Sequence, residues 1–469
     1  MNLRIVCIAA ALLTAGATGA QPKGKAPVPA QSAGATGAQP KGKAPVPAQR
    51  TFTLKNGLRV TLIHTGTARK AVVSLVLETG EIDEPAFGPG LASLTADMLL
   101  QGTVARSAQQ IATEAASLGT KIAVRAGPVT TTISGEVETA RIPRFLSLVA
   151  DLVRHPLLDT ASFGRVRRHA MSALDSTLHN PADLAKQQWR AIIFPDGPFG
   201  HPYAFAATLG MLQLGHVRNV YDDNYSASRA HLYVSGVFVD AAAEKSVREI
   251  YSDWKAGTPP KPRVIRAVAV HELVTLDQRG ADRSVTWIGL PTIDPADHDF
   301  ASLEVADMVL AGDDSSRVAL DIAAIESVPQ HGSSTIWQRR GATYWVDVLD
   351  VRTANTGAAL GALIGELSAL KKEAPSEAEV ARARNRVIAA FEARNNSRDG
   401  LVALMEFMDE HSIGDGWRTG YARRVMAVTR EDVRAAVAAY LDPLHMAIAI
   451  VGDRASIEPQ LAKLRPLVP

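Results

Sequence analysis

Ala96-Asp97-Met98-Leu99-Leu100-Gln101-Gly102 returns 210 residues later as Ala306-Asp307-Met308-Val309-Leu310-Ala311-Gly312. Further matches keep the same order. Asp159, Arg165, Arg167, Ala173 and Asp175 correspond to Ser376, Arg382, Arg384, Ala390 and Glu392, each 217 residues on. Val217-Arg218 and Leu232-Tyr233-Val234-Ser235-Gly236 correspond to Val433-Arg434 and Ile448-Ala449-Ile450-Val451-Gly452, 216 residues on. One such match is weak. Three in order, with offsets that differ only by loop-sized shifts, indicate a duplicated unit of about 210 residues. A chain of 469 residues would otherwise suggest about three domains; the repeat reduces them to two.

Local signals place the elements. Asn56-Gly57 between Phe52-Thr53-Leu54 and Leu58 to Ile63 predicts a hairpin, because both turn residues tolerate positive φ. Folded chain is expected from Thr51. Asp159 and Ser376 are good N-caps, and Ser376 with Glu379 forms a capping box. The three prolines of Gly257-Thr258-Pro259-Pro260-Lys261-Pro262 continue neither helix nor strand. They divide an N-terminal domain, 50–260, from a C-terminal domain, 265–469. Each half reads as strands, an apolar helix, more strands, two or three helices, a late strand and a last amphipathic helix. Lys121 to Arg125 and Val129 to Val137 follow one another too closely for a crossover and should pair antiparallel. The expected fold class is α+β: two homologous domains, each an antiparallel sheet with helices packed on one face.

The first 49 residues differ from the rest. Met1 to Ala20 reads as a cleaved signal peptide, with Arg4 before an apolar run and small residues after it. Residues 21–49 form a Pro/Ala/Gly/Lys spacer in which Ala15 to Gln31 recurs as Ala33 to Gln49. This segment holds five basic residues and no acid, so the remaining 45 basic and 48 acidic residues give a net charge of −3. A slightly acidic body has no electrostatic footprint for nucleic acid. Cys7, the one cysteine, would leave with the signal, which excludes disulfides, thiolate nucleophiles and Cys-ligated zinc from the mature chain. No later apolar run reaches the ~18 residues of a membrane helix. The expected location is therefore exported, periplasmic or secreted, with no membrane span after signal cleavage.

Several stretches resemble the insulinase/pitrilysin family of zinc peptidases, the inverted zincins with a processing-peptidase-like fold. They are Leu54-Lys55-Asn56-Gly57-Leu58-Arg59-Val60, Gly80-Glu81-Ile82-Asp83-Glu84-Pro85 through Gly90-Leu91-Ala92, and Met98 to Thr103. Asn180-Pro181, Gly200-His201-Pro202-Tyr203, Asp297-His298-Asp299-Phe300 and Ser315-Ser316-Arg317 belong with them. The resemblance covers nearly all of residues 50–469 and implies the same duplicated architecture.

It also implies a zinc held by the two His of H-x-x-E-H and a distal Glu, with the motif Glu as base. Two His one helical turn apart can share a metal, and the adjacent Glu can activate its water. Aligned through Gly90-Leu91-Ala92 and Met98, those positions carry Ser93, Ala96 and Asp97, and the distal Glu position falls near Ala173. One carboxylate remains of the set, so no catalytic residue, no metal site and no bound zinc are expected. The twelve His offer no replacement pair at i, i+3 or i, i+4; His169 and His179 stand ten apart. Glu406, Asp409, Glu410 and His411 read as the solvated end of a helix. His298 between two Asp reads as a helix start with Asp at the cap. The resemblance further implies an Arg and a Tyr that grip substrate backbone; their positions fall on Ala323 and Gln330. There is no G-x-S-x-G elbow, P-loop or dinucleotide fingerprint.

Two functions from different classes follow as expectations. One is a non-catalytic subunit paired with a paralogous zinc-containing peptidase, or self-associated. The other is a stand-alone peptide- or protein-binding module. An active metalloendopeptidase ranks below both.

Overall fold

The two halves build the same series of elements, as the repeat requires. The computed structural model describes residues 48–85, 88–195, 198–201, 206–261, 263, 265–327 and 334–464. The expected signal peptide and nearly all of the spacer lie outside them. The first half contains β1 (Gln49–Thr53), β2 (Arg59–His64), β3 (Lys70–Leu77), α1 (Leu91–Met98), α2 (Ala108–Ser117), β4 (Ala123–Ala126) and β5 (Thr131–Glu138). It continues with α3 (Ile142–Arg154), α4 (Thr160–Leu178), α5 (Pro181–Ile193), α6 (Ala206–Met211), α7 (Leu214–Asn224), β6 (Ala230–Gly236) and α8 (Asp240–Tyr251). The second half contains β7 (Glu272–Asp277), β8 (Arg283–Pro291), α9 (Phe300–Leu310), α10 (Arg317–Glu326), β9 (Thr335–Trp337) and β10 (Tyr344–Arg352). Then follow α11 (Thr356–Lys372), α12 (Glu377–Asn395), α13 (Arg398–Glu410), α14 (Asp415–Ala427), α15 (Arg430–Tyr440), β11 (Ala447–Gly452) and α16 (Arg454–Leu461).

Sheet orders are equivalent: β1-β2-β6-β3-β5-β4 and β7-β11-β8-β10-β9. Neither is purely antiparallel, which corrects the expectation. β6 runs parallel to β2, and β11 parallel to β7. Each late strand returns after a helical block long enough to permit a parallel crossover, and it inserts between the first two repeated strands. The expected hairpin forms with Gly57 at φ 94°. Its first strand starts at Gln49, opposite Ile63, and not at Thr51. Asp159 caps α4 by accepting from the Ala161 and Ser162 N–H groups, and Ser376 caps α12 with its Glu379 box.

Alternation along the strands supplies two apolar faces to each sheet. In the first sheet Val60, Leu62, Val73, Leu75, Leu232 and Val234 pack against Phe145, Leu146 and Val149 of α3. The opposite face is also covered, so helices do not lie on one face alone. Ile63, Val72, Val76 and Tyr233 join the core of the other half, beside Leu401, Val402, Met405 and Met408 of α13. The reciprocal contact is made by α5, whose Trp189 and Ile193 pack with Tyr344, Val346, Ala447 and Ala449 of the second sheet. Trp189 Nε1 donates to the Ala447 carbonyl at 2.9 Å in full burial. Each half thus lends one helix to the other's sheet, and Val46–Pro469 clusters as one unit. Among the described residues no helix is long and apolar enough to cross a membrane.

Candidate functional site

The helix that carries the motif positions is α1. Leu91, Leu94, Ala96 and Met98 are buried, while Ser93 and Asp97, one turn apart, share the accessible side. Gly90 starts the helix at φ 94°. Glu84 closes its amino end, accepting from the Ala92 N–H at 2.7 Å and the Gly90 N–H at 3.2 Å. Burial pushes the Glu84 carboxyl up to about 8 despite those bonds. α1 packs against α4, β4 and α7. This brings α4, on which His169 and Ala173 are one turn apart and exposed, against the helix of Asp97. The crowded surroundings raise the Asp97 carboxyl, and His169 pulls it back in part.

The four positions lie on two packed helices and present a hydroxyl, a methyl, a carboxylate and a second methyl. His169 is the donor that sequence reasoning did not pair with Asp97; two residues on different helices leave no spacing to read. Zinc needs three or four converging N, O or S donors at about 2.0–2.3 Å. The residues present do not fit the ion. Among the described residues, three grouped donors occur at Asp297, His298 and Asp299. His298 there lies 3.1 Å and 3.3 Å from the flanking carboxylates and is largely exposed. Asp299 does stand at the N-cap of α9, but its side chain does not cap; it accepts from the Tyr440 hydroxyl at 2.8 Å.

Asp307, the counterpart of Asp97, shows what the same residue does when it is structural. It is buried on α9 and accepts from Trp345 Nε1 at 2.6 Å. The two matching sequences thus serve opposite ends: Asp307 is locked into the core and Asp97 faces out.

The acidic end of α13 also differs from expectation. Glu406, Asp409, Glu410 and His411 are not a solvated helix end, because α13 crosses the first sheet. Asp409 Oδ2 lies 2.7 Å from Arg59 Nη2, 2.9 Å from His231 Nδ1 and 2.5 Å from the Tyr233 hydroxyl, which donates to it. His231 Nε2 pairs with the Thr61 hydroxyl at 2.8 Å, and its ring stacks on Tyr233 at 3.9 Å. Burial lowers the His231 pKa. Burial raises the Asp409 carboxyl, and the bonds from His231 and Tyr233 more than offset it. Glu406 is pushed up to about 7 by burial. His411 is buried with Nδ1 2.9 Å from Asp294. Arg59, Thr61, His231, Tyr233 and Asp409, with Gln49, Thr51 and Met405, line a cleft of about 260 Å³.

Of the expected substrate-gripping positions, Ala323 sits half-buried on α10 and offers a methyl; Gln330 lies outside the described residues. The neighbouring Arg317 is engaged by Glu379 at 2.7 Å and Glu366 at 3.1 Å. Sequence reasoning missed a further charged group at the seam, made by Glu81, Arg190 and Arg339. Its members are too far apart in the chain to form a motif.

Two family profiles match: "Insulinase (Peptidase family M16)" over residues 59–204 and "Peptidase M16 inactive domain" over 212–387. The second covers mainly the C-terminal half, so the state of α1 is argued from α1 itself. An uncharacterized zinc protease of Rickettsia felis is 23% identical over 205 residues, 44% of this chain and 50% of that one. One of Mycobacterium leprae is 25% identical over 280 residues, 58% of this chain and 62% of that one. The chain thus spans about half the length of the first of these relatives. Two solved structures superpose with TM-scores of 0.79: a peptidase M16 inactive domain from Pseudomonas fluorescens, 18% identical, and a protease from Helicobacter pylori, 15% identical. Both alignments cover 86% of this chain, with 98% and 99% of the respective partners, and show the shared fold. With both halves matched in order and the duplicated architecture in place, the chain belongs to the insulinase family, peptidase family M16.

Proposed function

We propose that this chain is an exported member of the family without metal chemistry of its own, acting as the non-catalytic half of a zinc peptidase formed with a paralogous chain. The observation that carries the reading is the donor set on α1 and α4. Ser93, Ala96, Asp97 and Ala173 supply one carboxylate where three ligands and a base are needed. Relatives are named zinc proteases, so the family's activity has to come from a second chain if this one takes part in it. The α1–α4 face stays open and accessible at Ser93, Asp97 and Ala173, which suits holding a peptide without cutting it.

Affinity purification of the tagged chain from its native host tests this. The expected result is a co-purifying relative with an intact H-x-x-E-H, and peptidase activity in the mixture but not in this chain alone. Activity in the isolated chain that chelators abolish would overturn it. Recovery of the chain without any relative would favour a stand-alone peptide-binding module.

A further inference from the structure

We infer that the seam between the halves carries a recess for the C-terminal carboxylate of a peptide, built on Arg190 and Arg339. Arg190, on α5, is only 5% exposed. Its Nε and Nη2 are buried and find no acceptor among the described residues. The guanidinium lies 6.0, 5.8 and 5.5 Å from the ring centres of Phe194, Phe199 and Trp337. Rings hold a cation by their faces but give its N–H groups nothing to bond to. Arg339 approaches the same Trp337 ring at 5.2 Å, and its Nε is also buried without an acceptor. Its Nη1 is engaged, donating to the Gln338 carbonyl at 2.8 Å and lying 3.6 Å from Glu410.

Glu81, in the first half like Arg190, lies within electrostatic reach of both guanidinium groups. Its Oε2 is buried and unbonded, so it pairs through that atom with neither guanidinium. Burial raises its carboxyl, and Arg190, Lys186 and Arg339, in that order, pull it down; the same Arg190, Arg339 and Glu81 act on the buried Tyr344. All of them share one neighbourhood.

Buried charges are normally paired, and leaving an N–H or carboxylate oxygen unbonded costs several times a neutral hydrogen bond. Three unanswered donors beside one unanswered acceptor describe a complementary ligand: oxyanion on one side, N–H on the other. The last residue of a peptide supplies both, through its carboxylate and its own amide. Guanidinium groups favour carboxylates through paired N–H donors. The Trp337 ring, only partly buried, suits an apolar last side chain. This deepens the proposed reading by naming the ligand class, and it requires no partner chain.

The test is a fluorescence titration of the purified full chain, because Trp337 touches both cations. Probes are acetyl-Gly-Gly-Phe with a free carboxylate, its C-terminal amide, and inorganic phosphate. The free acid should saturate and change the tryptophan emission, with the amide at least tenfold weaker and phosphate weaker still. Arg190→Gln and Arg339→Gln should each abolish the preference for acid over amide; Arg339 is the more exposed, so its variant keeps the test valid if Arg190→Gln misfolds. Trp337→Phe should remove the emission change while calorimetry still detects the acid. Equal binding of acid and amide would overturn the recess yet leave the peptide-holding reading intact. Equal binding of phosphate would overturn the peptide assignment. No response to any probe, by emission or calorimetry, would mean that water completes the group and would overturn the inference.

Discussion

Replacing Asp347 with Asn should make the protein more stable, by a margin that opens above about pH 4 and is complete near pH 7. Asp347 lies on β10 with no exposure. Its Oδ1 accepts the Val348 N–H at 2.9 Å, whereas Oδ2 is buried without a partner. Burial, and after it the Asp307 charge, pushes the carboxyl up to about 7 from an ordinary 3.8. Between those values the native chain holds a proton that the unfolded chain has lost. Stability therefore falls as pH rises from about 4 to about 7 and then levels off. Each pH unit of such a difference is worth about 1.4 kcal/mol, which bounds the loss near 4 kcal/mol. Relaxation around the ionised group reduces this to about 2 kcal/mol. Asn keeps the acceptor for Val348 and has no charge to bury. Urea unfolding at pH 4, 5, 6, 7 and 8 should show the variant within about 0.5 kcal/mol of the parent at pH 4, with the gap widening to pH 7. At pH 8 it should be about 2 kcal/mol more stable, with Tm about 3 °C higher. Some slope should persist, because Glu304 and Glu406 are held near 7 in the same way. A variant destabilised equally at every pH would refute the reasoning.

Asp409→Ala removes the shared acceptor of Arg59, His231 and Tyr233 and should cost about 1–2 kcal/mol in thermal unfolding, solvent access on one side limiting the loss. A double-mutant cycle with Arg59→Ala should show coupling of about 0.5 kcal/mol or more; strict additivity would contradict the network. Trp189→Ala opens a cavity where α5 meets the second sheet and strands the Ala447 carbonyl; a loss of about 3–5 kcal/mol in chemical denaturation is expected, and a loss below 1 kcal/mol would show that α5 does not lock the halves.

Much of the architecture is legible in the sequence because the chain states it twice. The offsets of 210, 216 and 217 residues mark the counterparts α1 and α9, β6 and β11, α4 and α12. Caps such as Asp159 and Ser376 are local chemistry and read directly. What the repeat could not reveal is which half a helix serves. α5 and α13 each present an apolar stripe, and no local pattern says that the stripe covers the other half's sheet. That is why the acids of α13 read as solvated, although Asp409 and Glu406 meet the first sheet. Parallel pairing of β6 with β2 is equally silent, since period-two alternation is the same in either direction. The expectation of missing metal donors rests on residue type at the motif positions, which needs no fold to state. Arg190, Glu81 and Arg339 were not, because only the fold brings them together.

The central claim is that α1 and α4 do not hold zinc, and metal analysis tests it most directly. The purified chain, incubated with zinc and desalted, should carry less than one equivalent by elemental mass spectrometry, and a chelator should leave its Tm unchanged, since an ion bound only to the native state would stabilise it. Ser93→His, Ala96→Glu and Asp97→His together with Ala173→Glu should be needed to gain stoichiometric metal, with no single change sufficient. One zinc per unmodified chain, lost in Asp97→Ala, would contradict the account.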